Sequence, residues 1–269
     1  MSLTAKSAAL AQRLRELDSM VIAFSGGVDS TFLLAAAVAE CGDKVLAVTA
    51  RSPLYPQREF DDACTLAAEL GARHLVIDSG ELEIPGFRDN PPERCYLCKH
   101  ELFSELQAVA AAHALRYVCD GSNIDDADDY RPGSRAARQL GIVSPLAEAG
   151  MSKADIRAAS AQLGLPTATK PARACLGSRF PYGQTITLEA LQAIEKAEAF
   201  LHDLGFDQVR VRCHGKLARI EVEASAVNQI MAHAAAINQH LQSCGFAFVT
   251  VDLGGYSMGS MNKTLPDRS

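Results

Sequence analysis

Met20-Val21-Ile22-Ala23-Phe24-Ser25-Gly26-Gly27-Val28-Asp29-Ser30 is the stretch that decides the fold. Its first five residues are an apolar run of strand formers, too short for a buried helix. They run straight into a loop with two glycines, and residues 30–40 then read as an Ala- and Leu-rich helix ending near Gly42. Glycine lets the backbone reach positive φ and approach a ligand closely. Successive N–H groups in such a loop form a concave anion site, and the following helix adds its positive end. Ser25 and Ser30 offer hydroxyl donors, and Asp29 offers the oxygen ligand that Mg2+ prefers when it bridges phosphates. The Gly-Lys-Ser/Thr ending of a Walker A loop is absent.

Outward from the loop, strand and helix patterns alternate. Residues 44–49 form a second strand, 57–70 a helix stopped by Gly71, and 74–77 a third strand. Residues 81–92 read as a loop, 99–114 as a helix, and 117–119 as a short strand. A helix over 152–163 opens with Ser152 as N-cap and Asp155 three residues later. This alternation predicts an α/β fold with a parallel sheet and flanking helices, which binds ligands at the carboxyl ends of its strands. Residues 166–182, rich in Pro, Gly and Arg, read as a connector. Helix 188–204, strands 208–213 and 217–222, helix 225–241 and strand 246–253 then predict a smaller α+β domain. The expected domains are 1–180 and 181–269.

The length of 269 residues suits one large domain or two ordinary ones, and the net charge of −6 lacks the basic footprint of a nucleic-acid binder. No apolar run approaches the roughly 18–20 residues needed to span a bilayer. Leu3, Leu10, Leu14 and Leu17, interleaved with charges, make an amphipathic N-terminal helix and not a secretory signal. The expectation is a cytoplasmic protein without a membrane or nucleic-acid partner. Its eight cysteines then read as thiols, metal ligands or catalysts.

Three further segments carry chemistry. They are Asn90-Pro91-Pro92-Glu93-Arg94-Cys95-Tyr96-Leu97-Cys98-Lys99; Gly121-Ser122-Asn123-Ile124-Asp125-Asp126 with Asp129-Tyr130-Arg131-Pro132-Gly133; and Lys170-Pro171-Ala172-Arg173-Ala174-Cys175-Leu176-Gly177-Ser178-Arg179. Cys95 and Cys98 at the mouth of a helix read as a redox pair, half a zinc site, or two ligands of an iron–sulfur cluster. A zinc site would need two more ligands, and neither a second C-x-x-C nor a local His pair is present. Positive charge at Arg173 and Arg179 would favour a Cys175 thiolate. Cys41, Cys64, Cys119, Cys213 and Cys244 read as small apolar core residues. Arg94 suits a phosphate contact or the surface.

The loop at Ser25 resembles the PP-loop of the ATP pyrophosphatases, which cleave ATP between the α and β phosphates and leave AMP on the substrate. With the three segments, Arg210-Val211-Arg212-Cys213-His214-Gly215, Ala218-Arg219-Ile220-Glu221-Val222, Asp252-Leu253-Gly254-Gly255-Tyr256 and Gly259-Ser260-Met261-Asn262, nearly the whole chain resembles the LarE family. These are ATP-dependent sulfur transferases of nickel-pincer nucleotide cofactor synthesis. The resemblance implies adenylation of a carboxylate of pyridinium-3,5-biscarboxylic acid mononucleotide, followed by attack of sulfur. It implies nucleotide binding by Ser25, Gly26, Gly27, Asp29, Ser30, Thr49, Arg51, Ser52, Gly121, Asn123 and Asp125. Arg179, Arg210, Arg212 and Glu221 would meet substrate, and the same C-terminal region would assemble a homo-oligomer. Ser257 stands where many members carry arginine.

Cys175 occupies the place of the family's sulfur-donating cysteine, which sacrificial members convert to dehydroalanine. Other members hold a 4Fe-4S cluster on three cysteines, whose open iron takes an extra sulfide from a sulfide donor. The sequence matches that version, with Cys95, Cys98 and Cys175 as ligands. The implied cofactors are ATP, Mg2+ and the cluster. The rivals are a tRNA sulfurtransferase of the same loop class, an amide-forming synthetase, which leaves the three cysteines without a task, and a nucleotide-binding module without catalysis.

Overall fold

A computed structural model describes residues 1–126, 132–171 and 174–257. Two compact units emerge. The first takes in Met1–Ser52, Gln57–Glu81 and Glu93–Arg173; the second takes in Pro53–Pro56, Leu82–Pro92 and the chain from Ala174 onward.

The first unit runs α1 (Leu3–Leu17), β1 (Met20–Ala23), α2 (Val28–Cys41), β2 (Val45–Arg51), α3 (Gln57–Glu69), β3 (Arg73–Asp78), α4 (Arg94–Ala112), β4 (Tyr117–Cys119), α5 (Pro132–Gln139), α6 (Pro145–Glu148) and α7 (Lys153–Gln162). Its four strands are all parallel, in the order β3-β2-β1-β4. Side chains alternate across a strand, so β1 serves two cores. Met20 and Ile22 pack with Leu10, Leu14, Leu33, Leu34 and Ile156. Val21 packs with Leu46, Val48, Phe103, Leu106 and Val118. Each fully buried Leu or Phe is worth about 1.5–3 kcal/mol, which fixes β1 at the centre and aims its carboxyl end at the loop.

In the second unit come α8 (Leu188–Asp203), β5 (Val209–His214), β6 (Leu217–Val222), α9 (Val227–Ala232), α10 (Ala234–Ser243) and β7 (Phe248–Val251). The sheet order is β5-β6-β7, antiparallel then parallel. Val209, Val211, Ala218, Ile220 and Val222 are buried, as are Leu191, Ile194 and Leu201 of α8.

The expected parallel sheet with flanking helices and the small mixed sheet are both present, with local differences. The helix expected at 99–114 begins at Arg94, so Cys95 and Cys98 lie in its first two turns. The helix expected at 225–241 is two helices that break at His233. Helices α5 and α6 fall where no apolar periodicity signals them; only Ala136, Ala137, Pro145 and Leu146 are buried there.

Candidate active site

β1 ends at Ala23, but Phe24 N–H still bonds Val48 O at 2.9 Å, so the chain enters the loop in strand register. Gly26 then turns to φ +65°, and a Cβ there would lie 2.9 Å from Ala63 Cβ. Both facts require glycine. Gly27 is the N-cap of α2 and makes no side-chain cap bond, which suits first-turn amides to an outside anion. The loop closes through its serines: Ser25 Oγ and Ser30 Oγ are 3.2 Å apart, and Ser30 Oγ donates to Gly27 O at 3.2 Å.

Asp29 and Lys153 form an ion pair. Burial raises the Asp29 pKa, and the hydrogen bond and charge of Lys153 oppose that rise. The other carboxylate oxygen, Oδ1, is buried with no hydrogen-bond partner. An orphaned anionic oxygen beside an anion loop fits an Mg2+ ligand. Lys153 opens α7, whose Ser152 and Asp155 form a reciprocal capping box. One turn on, Arg157 donates to Ala168 O and Lys170 O at 2.6 and 2.7 Å. Lys170 Nζ in turn lies 3.3 Å from Gly26 O and 3.2 Å from Asp62. Helix α7 thus sets two lysines against the loop.

The other expected nucleotide residues lie at the carboxyl edge of the same sheet. A Cβ on Gly121 would sit 3.1 Å from Ser30 N, so glycine lets the chain after β4 pass against the start of α2. Thr49 is buried, and its hydroxyl donates to Phe24 O at 2.9 Å. With that proton used, His74 Nε2 is the donor to Thr49 Oγ1 at 2.9 Å. Arg51 pairs with its cross-strand neighbour Asp78 at the surface. Ser52 donates to buried Glu81 at 2.6 Å. Asn123 Oδ1 accepts from Asp125 N at 3.0 Å, and Asp125 accepts from Lys153 N at 2.8 Å, anchoring the start of α7.

Cys95 is exposed and Cys98 half-buried, at i and i+3 on one side of α4. Arg94, itself buried, reaches Cys95 Sγ at 3.8 Å. His100 lies against Tyr96, ring centroids 5.7 Å apart.

Cys175, half-buried, belongs to the second unit and precedes a short 3-10 turn, Leu176–Arg179. Two buried arginines hold that turn. Arg179 makes a two-point ion pair with Glu198 at 2.9 and 2.7 Å and donates to Ala174 O and Cys175 O. Arg212 donates to Ser178 O at 3.0 Å and pairs with fully buried Glu221. Glu221 also meets Arg219 at 3.1 Å, and Arg219 pairs with Asp252. Glu198 additionally accepts Val211 N–H at 2.8 Å, covering the open edge of β5. Burial alone would raise the Glu198 pKa, but Arg179 and these hydrogen bonds hold it below the usual carboxylate range. Arg210 stands 5.4 Å from the Tyr256 ring, its pKa lowered by burial and by the like charge of Arg179.

Arg173, Asp129, Tyr130, Arg131 and the stretch from Gly259 to Asn262 lie outside the described residues. Among the described residues no three His, Cys, Asp or Glu side chains group as a metal site. Burial raises the thiol pKa of Cys41, Cys64, Cys119, Cys213 and Cys244. Lys153 and Arg157 escaped the sequence reading. Their i, i+4 spacing on α7 was visible, but nothing local tied that face to the loop.

No family model matches the chain. A pyridinium-3,5-bisthiocarboxylic acid mononucleotide synthase of Lactiplantibacillus plantarum is 40% identical over 265 residues, 98% of this chain and 96% of that protein. The chain belongs to the LarE family of sulfur transferases. An uncharacterized protein of Synechocystis is 45% identical over 258 residues, 95% of this chain and 96% of its own length. A tRNA-specific 2-thiouridylase MnmA of Xanthobacter autotrophicus is 29% identical over 192 residues, 56% of this chain and 49% of that protein. LarE membership and the MnmA likeness agree with the PP-loop sheet of the first unit. Among the described residues no helix is long and apolar enough to cross a membrane.

Proposed function

We propose that this protein adenylates a carboxylate of pyridinium-3,5-biscarboxylic acid mononucleotide with ATP and replaces an oxygen by sulfur, in nickel-pincer cofactor synthesis. One observation carries the reading: a glycine loop at the end of a central parallel strand, with a buried, unpartnered Asp29 oxygen beside it, in a chain 40% identical to a synthase of the bisthiocarboxylic acid nucleotide. A carboxylate repels nucleophiles. Its oxygen attacks the α-phosphorus of ATP, the bond to the β-phosphate oxygen breaks, and pyrophosphate leaves. Sulfur then attacks the acyl carbon and AMP departs.

The chain's residues divide this work. The Ser25–Ser30 loop and the N-terminus of α2 hold the phosphates, Asp29 holds Mg2+, and Lys153 and Lys170 counter the charge of leaving pyrophosphate. Thr49, Arg51, Ser52, Gly121, Asn123 and Asp125 border the nucleoside. Arg210 and Arg219 are the arginines of the second unit suited to the substrate phosphate. Arg179 and Arg212, each set on a buried glutamate, hold the Cys175 turn, and Glu221 orients Arg212. On the family resemblance, Cys95, Cys98 and Cys175 are the residues that would supply three thiolates to a 4Fe-4S cluster. Such a cluster, when bound, offers an iron without a protein ligand for an extra sulfide.

The test is an anaerobic assay with MgATP, sulfide and the biscarboxylated nucleotide, reading product mass, AMP and iron together. The expected result is AMP and pyrophosphate with substrate oxygen exchanged for sulfur, dependent on bound iron. Product formed by iron-free protein, with Cys175 losing the elements of H2S, would replace the cluster by sacrifice. No AMP with this substrate would overturn the reading.

A further inference from the structure

Tyr96 lies between the two cysteines of the C-x-x-C turn, and helix α5 grips it at two points. The Arg135 guanidinium stacks over the Tyr96 ring, 4.0 Å from its centroid. One turn on, Gln139 Oε1 accepts from the Tyr96 hydroxyl at 2.8 Å. Arg135 also reaches back to Glu93, the N-cap of α4, at 2.7 Å. Farther along, Gln107 donates to Leu140 O at 2.6 Å. The approach is close: a Cβ on Gly133 would lie 3.0 Å from Lys99 Cγ and 3.6 Å from Cys95 O.

We infer that Arg135 and Gln139 are positioning residues for the Cys95–Cys98 pair, fixing the rotation of the first turns of α4 so that both sulfurs face one ligand. The warrant is geometric. The N-cap Glu93 makes no side-chain cap bond of its own, so the start of α4 lacks the usual local lock. Arg135 replaces it by holding Glu93 and Tyr96 together, from before Cys95 to just after it. A helix start that frays would separate sulfurs placed at i and i+3. Groups behind metal ligands act in this way, orienting donors that they do not replace. Arg135 is exposed, so its effect on global stability is small. The inference rests on the reading of Cys95 and Cys98 as ligands.

The experiment titrates the full-length, metal-free reduced protein with Cd2+, following thiolate-to-cadmium charge-transfer absorption. Melting temperature and MgATP affinity are measured beside it. Wild-type protein binds Cd2+ through Cys95 and Cys98. R135A with Q139A weakens that binding by about tenfold or more, with melting temperature and MgATP affinity near wild type. R135K, which keeps the ion pair with Glu93 and loses the stacking, falls between. Y96F, which removes only the Gln139 contact, gives a smaller loss in a side chain that still packs. Wild-type Cd2+ affinity in R135A with Q139A overturns the inference. An unchanged cadmium signal in C95S with C98S instead overturns the ligand reading itself.

Discussion

Lys153, the first residue of α7, donates its ammonium to Asp29 of the phosphate loop across 124 residues of sequence. The pair gives the loop a balanced charge without nucleotide. Under the proposed function, MgATP would draw Asp29 to the cation and Lys153 to the phosphates, so that the two charges would exchange partners. Lys153→Met should weaken MgATP binding by about tenfold or more, since a hydrogen bond to a charged group is worth roughly 1.5–3 kcal/mol. Calorimetric titration reads this directly, and wild-type affinity would refute the role. Unfolding in urea supplies the second half: Lys153→Met with Asp29→Asn should be more stable than Lys153→Met alone, because no lone carboxylate is left half-buried.

The loop and its sheet were legible because their signals are local. An apolar run, two glycines and an Ala-rich helix stand in sequence order, and β1 needs no distant partner to be recognised. Lys153 was not legible, since its role depends on where α7 packs. Helix α5 was missed because Pro132-Gly133-Ser134-Arg135-Ala136-Ala137-Arg138-Gln139 buries only two alanines. The arginines of β5 and β6 alternate as the sequence shows. That Arg212 would be given to Glu221 and a backbone carbonyl depends on the register Arg210↔Glu221 and Arg212↔Arg219, which only pairing reveals.

Gly121 tests the passage of the chain after β4 against α2. Gly121→Ala places a methyl 3.1 Å from Ser30 N and 3.3 Å from Asp29 Cβ. Ser30 N and Asp29 C are backbone atoms with little room to yield, so overpacking should cost about 1–3 kcal/mol and displace the first turn of α2. Reduced MgATP affinity and a lower urea midpoint are expected together. Gly80→Ala is the control, with nothing within 4 Å of its added Cβ, and should leave both measurements near wild type.

Glu198 tests the hold on the Cys175 turn. It is buried, bound at two points to buried Arg179 and bonded to the β5 edge. Glu198→Gln leaves the Arg179 charge without its partner, which costs about 3–5 kcal/mol for a buried pair. Chemical denaturation should show that loss. Alkylation of Cys175, followed by peptide mass spectrometry, should be faster in the variant because its turn is no longer held. An alkylation rate equal to wild type would separate Glu198 from Cys175.

Asp155 gives the pH dependence its sign. Lys6 above all, then the side chain and backbone N–H of Ser152, hold its carboxyl far below the usual range. A depressed carboxylate pKa adds stability that is fully present above the unfolded-state value of about 3.9 and is lost as pH falls toward the folded value. Asp155→Asn removes the Lys6 ion pair and keeps an acceptor for Ser152. The gap in melting temperature between wild type and variant should therefore stay level from neutral pH down to about pH 5, then narrow below about pH 4 as the unfolded chain takes up its proton. Because α7 carries Lys153 and Arg157, the same variant should lose MgATP affinity when its first turn loosens. A gap that stays constant to pH 3 would show that the Asp155 charge contributes nothing to the helix that braces the phosphate loop.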